Sequence, residues 1–128
     1  MRMQARRVVL ALVIVLAGAA AAYASATLAT APALVSYPAA GQTLYCDIVN
    51  IGSSTQTVRI RVMTYSGTVD ADSGDIALAK DAGTSRRDSG NGAGAWCKFT
   101  VPTGKQKNFR GAAIYDNGSD YLMAIPAQ

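Results

Sequence analysis

The chain has 128 residues, with 12 basic and 8 acidic side chains and a formal net charge of +4, and it contains no histidine. All of its acidic residues are aspartates, so it contains no glutamate either. These absences exclude Ser-His-Asp and Cys-His nucleophilic catalysis, histidine zinc and copper sites, and glutamate-based glycoside hydrolysis. We therefore predict that the protein is not an enzyme and carries no cofactor, with aspartate or lysine chemistry as the enzymatic alternative.

The N-terminal residues have the pattern of a secretory signal peptide. Three arginines precede an unbroken apolar run over residues 8–22, and small residues that signal peptidase accepts follow it. The run is at the short limit for crossing a bilayer and no basic cluster follows it, so we expect no permanent membrane anchor. We predict a signal peptide over residues 1–26, cleaved near Ala24 or Ala26, a domain over residues 27–128, and a secreted or periplasmic location.

Removal of that segment changes the charge of the chain. Three of the twelve basic residues lie in the predicted signal peptide, so the domain has nine basic against eight acidic side chains. Nucleic-acid binding needs a clustered positive surface, and this near balance argues against a nucleic-acid partner. We expect the partner to be another envelope or extracellular protein.

Short segments of alternating apolar and polar residues follow, separated by turns rich in Gly, Pro, Asn, Asp and Ser. This pattern predicts an all-β domain of about seven strands. Whether residues 27–37 contain a first strand or form a tail stays open. Residues 70–75 and 81–94 are predicted to be polar surface loops. In chain order the predicted strands cover residues 33–37, 43–51, 57–65, 76–79, 95–101, 107–115 and 121–125.

The strand over residues 57–65 alternates most regularly. Its three valine and isoleucine residues are predicted to face the core. Arg59, Arg61, Met63 and Tyr65 are predicted to face solvent, because alternate residues of a strand point to opposite faces of its sheet.

The two cysteines, Cys46 and Cys97, lie at inward positions of the predicted strands 43–51 and 95–101. A pair of cysteines in a small exported domain predicts a disulfide. Such a bridge joins one sheet to the other, which favours an antiparallel β-sandwich.

Four segments of the chain carry a resemblance to a known kind of protein. The sequences CDIVNIG (46–52), VRIRV (58–62), WCKF (96–99) and FRG (109–111) resemble small uncharacterised exported bacterial proteins with immunoglobulin-like sandwiches. The resemblance implies that fold and an exported location, and it implies no activity. Immunoglobulin domains differ in two ways, because their buried Trp lies between the cysteines on another strand and a Tyr holds the position that is Ala95 here.

Basic and aromatic side chains are predicted to share one exposed sheet face. That face would suit an anionic glycan or a lipid headgroup, and the alternative is a solvated outer face with no ligand. Its residues are Arg59, Arg61, Tyr65, Trp96 and Lys98.

Two polar segments have both a binding and a plain structural interpretation. Asp70, Asp72 and Asp75 are spaced like part of a calcium loop, but the glycine of that motif comes one position too early. We predict a turn there and no metal, with a weak calcium site as the alternative. Residues 86–88, with two arginines in the predicted loop, form either a contact loop or a flexible tip.

Together these patterns favour a non-catalytic exported β-sandwich that acts as a structural or interaction module in the cell envelope or outside the cell. The alternative is a module that binds carbohydrate or an anionic headgroup through the aromatic-basic face.

Overall fold

The computed structural model describes residues 25–31, 42–90, 93–116, 119 and 121–128, of which residues 121–123 are described by their backbone. The described chain is all β apart from one short 3-10 turn, Gln106–Asn108. Its eight strands are β1 (Ala26–Ala29), β2 (Thr43–Asn50), β3 (Gln56–Met63), β4 (Val69–Leu78), β5 (Gly83–Arg87), β6 (Trp96–Val101), β7 (Phe109–Asp116) and β8 (Tyr121–Pro126).

The strands form two antiparallel four-stranded sheets. The first sheet has the order β1-β6-β3-β4, and the second has the order β5-β2-β7-β8. On one side of the molecule, Ala29 and Gln128 exchange two backbone hydrogen bonds of 3.1 Å, which tie β1 to the residues after β8. On the other side, β4 and β5 are edge strands, and each pairs with one described strand only.

The core lies between the sheets and follows from the alternation of the strands. In β2 and β6 every second side chain is buried. The largest fully buried side chains are Phe99 and Phe109, one from each sheet. Cys46 of β2 and Cys97 of β6 form a disulfide within this core, and neither side chain is exposed. The predicted disulfide is confirmed, together with the all-β architecture of two antiparallel sheets.

Most of the predicted strands agree with the structure to within a few residues. The prediction over residues 33–37 lies outside the described residues, as do the signal peptide up to residue 24 and the Ala24 cleavage position. The question left open for residues 27–37 is answered at the start of that segment, because Ala26–Ala29 forms strand β1. The predicted domain boundary after Ala26 falls inside this strand.

The prediction of a loop over residues 70–75 is wrong, because this segment forms most of β4. It pairs with β3 over an irregular register that opposes Arg59 to Asp75 and Arg61 to Asp72. Gly74 has a φ of 66°, a left-handed conformation that glycine adopts without strain and that suits a bulge. The polar sequence is stable as a strand because Asp72 and Asp75 face the arginines of β3.

The prediction of a loop over residues 81–94 is wrong in part. Its segment Gly83–Arg87 is strand β5, which pairs with β2 at the edge of the second sheet. An edge strand has solvent on one side and buries little, so β5 lacks the alternation that marks the central strands. No helix among the described residues is long and apolar enough to cross a membrane.

One orientation in β3 also differs from the prediction. Met63 is buried, with 7% of its surface exposed, whereas the alternation placed it in solvent. The β3–β4 register shifts between Val62 and Met63, and an irregularity of this kind re-aims a side chain. Trp96 of β6 lies opposite Met63 in the ladder. The arginines of β3 and Tyr65 are more exposed, as predicted.

Candidate functional site

The outer face of the first sheet brings together most of the predicted ligand-binding residues. Arg61 lies opposite Lys98 in the β3–β6 ladder, and Arg59 lies two residues along the same face of β3. Trp96 lies two residues before Lys98, so its side chain projects from the same face. Tyr65 follows the end of β3 and is 58% exposed.

The two arginines of this face are bound to one carboxylate. The Nε and Nη2 atoms of Arg59 donate hydrogen bonds of 2.8–3.1 Å to Asp72, and the Nε of Arg61 donates one of 3.1 Å. The hydrogen bonds from Arg59 hold the pKa of Asp72 far below its ordinary value. Asp75 lies 3.8 Å from Arg59 and adds a weaker ion pair. The positive charge on which the predicted anion site depends is therefore largely neutralised within the protein.

Trp96 has a structural contact of its own. Its Nε1 donates a hydrogen bond of 3.0 Å to the carbonyl oxygen of Thr64, at the start of the β3–β4 turn. The side chain is half-buried rather than fully exposed. Lys98 makes no ion pair with any described residue. On this face Lys98 is thus the cation that stays available to an external anion.

The three aspartates of the calcium alternative have protein partners. The carboxylate of Asp70 accepts hydrogen bonds of 2.9 and 2.7 Å from the backbone N–H and the hydroxyl of Ser89. Asp72 is bound by the arginines, and Asp75 points to Arg59. Within the described ranges, no three carboxylate or cysteine side chains lie close enough to hold a metal ion. The structure does not bring these aspartates together as a ligand set.

The outer face of the second sheet carries a feature that the sequence did not indicate. A shallow trough of about 540 Å³ crosses strands β5, β2 and β7. Asp47 of β2 lies in it between Ser85 of β5 and Ala112 of β7, and Val49 adds an apolar side chain. A second depression of about 320 Å³ shares Asp47 and Ser85 and continues toward Tyr45.

Two charged side chains line this trough, and the guanidinium of Arg110 donates hydrogen bonds to the backbone carbonyl oxygens of Lys107 and Phe109, which leaves Asp47 as the distinctive group. Its carboxylate has no hydrogen-bond or ion-pair partner among the described residues, in contrast to Asp70 and Asp72. The alternation of β2 places Asp47 on the outer face, so the sequence could have indicated its orientation. Its small neighbour Ser85 comes from the pairing of β5, which a local pattern does not reveal.

The buried polar side chains have a different role, because each of them binds backbone groups. Asp88 accepts hydrogen bonds from the backbone N–H of Leu44 and of Gly90. Asn50 binds backbone groups of three residues. The hydroxyl of Tyr115 donates to the carbonyl oxygen of Ala95 at 2.8 Å, and burial raises the pKa of Tyr115 to about 12. These polar groups hold loops and strands in place.

Comparison with protein-family models, with curated proteins and with solved structures found no match to this chain.

Proposed function

We propose that this protein is an exported, non-catalytic β-sandwich that acts as a structural or interaction module in the cell envelope or outside the cell. One contrast carries the proposal. The buried polar side chains, such as Asn50 and Asp88, are bound to backbone groups, whereas Asp47 has no partner among the described residues and lies in a trough on an outer face. The buried polar side chains therefore support the fold, and the outer face around Asp47 is available for binding.

An immunoglobulin-like relationship is supported by the positions of the central strands. In an immunoglobulin domain the second strand lies beside the fifth, the third lies beside the sixth, and a disulfide joins the second to the sixth. Here β2 lies beside β5, β3 lies beside β6, and the disulfide joins β2 to β6. The outer strands differ. Strand β4 lies beside β3, whereas the fourth immunoglobulin strand lies beside the fifth. Strand β1 occupies the place beside β6 that immunoglobulins give to their last strand, and β7 takes the place beside β2 that they give to their first.

Export is supported by the oxidised cysteines together with the N-terminal sequence. Disulfides persist in oxidising compartments and are rare where cellular thiols are kept reduced. The Cys46–Cys97 bridge is buried in the core, where it serves the fold rather than redox chemistry. Cleavage after Ala24 would leave β1 whole, whereas cleavage after Ala26 would remove its first residue.

The experiment combines processing and binding in the native host. The intact mass of the protein recovered from outside the cytoplasm, with and without reductant, gives the cleavage position and the oxidation state together. We expect a processed chain that gains two mass units on reduction. A photo-crosslinking residue at Ala112, in the trough, should form a reproducible adduct, whereas one at Thr100 on the first sheet should form none. A full-length, reduced, folded chain in the cytosol would overturn the export proposal.

The carbohydrate or headgroup alternative has one supporting observation, the shared outer face of Trp96, Arg61 and Lys98. The pairing of both arginines with Asp72 weakens it, because an anionic ligand would have to compete with a bound carboxylate. A glycan array and anionic liposomes test this alternative directly. Binding that depends on Lys98 and falls with salt would favour it over the interaction module.

A further inference from the structure

Strand β5 is an edge strand whose outward backbone groups can be assigned. The backbone N–H of Asn50 donates to the carbonyl oxygen of Ala82, and the backbone N–H of Asp88 donates to that of Leu44. In an antiparallel ladder every second residue bonds to a given neighbour. Even-numbered residues of β5 therefore bond to β2, and odd-numbered residues direct their N–H and C=O groups away from it.

The bonds on the other side of β2 agree with this assignment. The backbone N–H of Ile51, an odd-numbered residue, donates to the carbonyl oxygen of Asn108, just before β7. The odd-numbered residues of β5 are Gly83, Ser85 and Arg87. All three are exposed, and their backbone groups have no hydrogen-bond partner among the described residues.

The other described edges are less open to an added strand. Strand β8 ends at Pro126, which has no backbone N–H to donate, and its register with β7 shifts between Tyr115 and Asp116. Strand β1 is tied to the C-terminal residues through Ala29 and Gln128. Strand β4 is irregular, with a bulge and Gly74 in a left-handed conformation, and irregular edges pair poorly. By contrast, the β2–β5 register has no shift from Tyr45 to Val49, so β5 offers a regular ladder.

The charges on β5 indicate what kind of strand would pair with it. Arg86 and Arg87 are adjacent, so their side chains project to opposite faces of the sheet. Both are exposed and neither forms an ion pair with a described residue. Two arginines of this kind discourage pairing with an uncharged or basic strand and favour an acidic one.

The neighbouring outer face adds a second requirement. Ser85 is small and Gly83 has no side chain, so the trough that contains Asp47 is open toward the edge of β5. A long basic side chain on an added strand, placed opposite Ser85, could cross it and reach the carboxylate of Asp47. With acidic residues opposite Arg86 and Arg87, all three charged side chains, these two and Asp47, would then have partners.

We propose that β5 is the docking strand for an extended segment of a partner protein. The segment adds to the second sheet through the backbone of Gly83, Ser85 and Arg87, carries acidic residues opposite the two arginines, and carries a basic residue that faces Asp47. This inference rests on the proposed interaction function and names its partner and its surface. A second copy of the chain fits less well, because it would bring four arginines into one short ladder.

The test selects binding sequences from a displayed library of random dodecapeptides, with the processed, disulfide-bonded protein as bait. We expect the selected peptides to be enriched in two adjacent acidic residues with a basic residue directly beside them, because Ser85, Arg86 and Arg87 are consecutive in β5. Binding of a selected synthetic peptide should slow amide hydrogen exchange at Gly83, Ser85 and Arg87, the signature of strand addition. Backbone N-methylation of the peptide at alternate positions should abolish that binding.

Variants separate the edge from the rest of the surface. Ser85→Pro removes an outward N–H without removing a bond to β2, and R86E/R87E reverses both charges. Each variant should lower the affinity for the selected peptide by about tenfold or more. The matched control is K105E/K107E, which makes the same charge change at two exposed lysines and should bind normally.

Each other outcome rejects the proposal of an acidic partner strand on β5. Equal weakening by R86E/R87E and K105E/K107E would indicate general electrostatic attraction. Protection of the β5 amides that grows with protein concentration, without peptide, would assign the edge to a second copy. If the selected peptides bind the Ser85→Pro variant as tightly as the wild type, β5 is rejected as the site and the interaction function is retained. A selection that yields no peptide would reject both β5 as the site and the interaction function.

Discussion

The cross-sheet disulfide allows the sharpest quantitative test of the fold. Its two cysteines are separated by 51 residues, and the loop that it closes contains the whole of β3, β4 and β5. On the chain-entropy model a loop of this length restricts the unfolded chain enough to stabilise the fold by about 4 kcal/mol. Replacement of both cysteines by alanine, C46A/C97A, should remove that contribution. For a domain of this size the melting temperature should fall by roughly 16–32 °C.

Urea unfolding, followed by tryptophan fluorescence, measures the free energy of unfolding directly. Wild-type protein in reductant is the control, since it breaks the bond and keeps both side chains. The alanine variant should lose at least as much stability as the reduced protein, because both sulfur atoms are fully buried and their removal also leaves a small cavity. A loss below about 1 kcal/mol in both proteins would refute the reasoning that the bridge acts on the unfolded chain.

Three further predictions concern buried or paired polar groups. Asn50→Ala should lower the free energy of unfolding by about 2–4 kcal/mol in urea titrations, because it leaves backbone groups of three residues without partners. Asn50→Asp should restore only the hydrogen bond that the side chain accepts from Gly52, since a carboxylate cannot donate to the carbonyl oxygens of Ser54 and Leu78. Tyr115→Phe should cost about 1–2 kcal/mol. Because the folded state raises the pKa of Tyr115 to about 12, wild-type stability should fall as pH rises from 10 toward 12, and this part of the fall should vanish in the variant. Asp72→Asn should cost about 1 kcal/mol at low salt and less at high salt, because the carboxylate is partly exposed. Since folding lowers the pKa of Asp72, the stability that its carboxylate contributes is present above its ordinary pKa and is lost on acidification. Wild type and variant should therefore converge in free energy of unfolding at low pH. A difference that stays constant with pH would contradict the ion-pair account.

The sequence could not predict the candidate surface of the second sheet for a definite reason. Asp47 follows the alternation of β2, and its outward orientation was open to prediction. Its isolation depends on Ser85 and Ala112, which are distant in sequence and become neighbours only through the pairing of β2 with β5 and β7. The register of an edge strand leaves little trace in a local pattern.

The same distinction applies to the face of the first sheet. The sequence placed Arg59, Arg61, Trp96 and Lys98 on one outer face, and the β3–β6 ladder agrees. The sequence did not indicate that Asp72 neutralises the arginines. That contact depends on β4, whose polar composition led to the prediction of a loop.

By itself the amino-acid sequence determined the all-β class, most of the central strands and the pairing of its two cysteines. Period-two alternation is a local property of a half-buried strand, and two cysteines in an oxidising compartment allow one intramolecular bridge. The tertiary structure alone decided that residues 70–75 and Gly83–Arg87 are strands, that Met63 is buried, and which carboxylates stay unpaired. Those outcomes depend on which strands lie side by side, because a polar strand is stabilised by its partner across the ladder rather than by its own pattern.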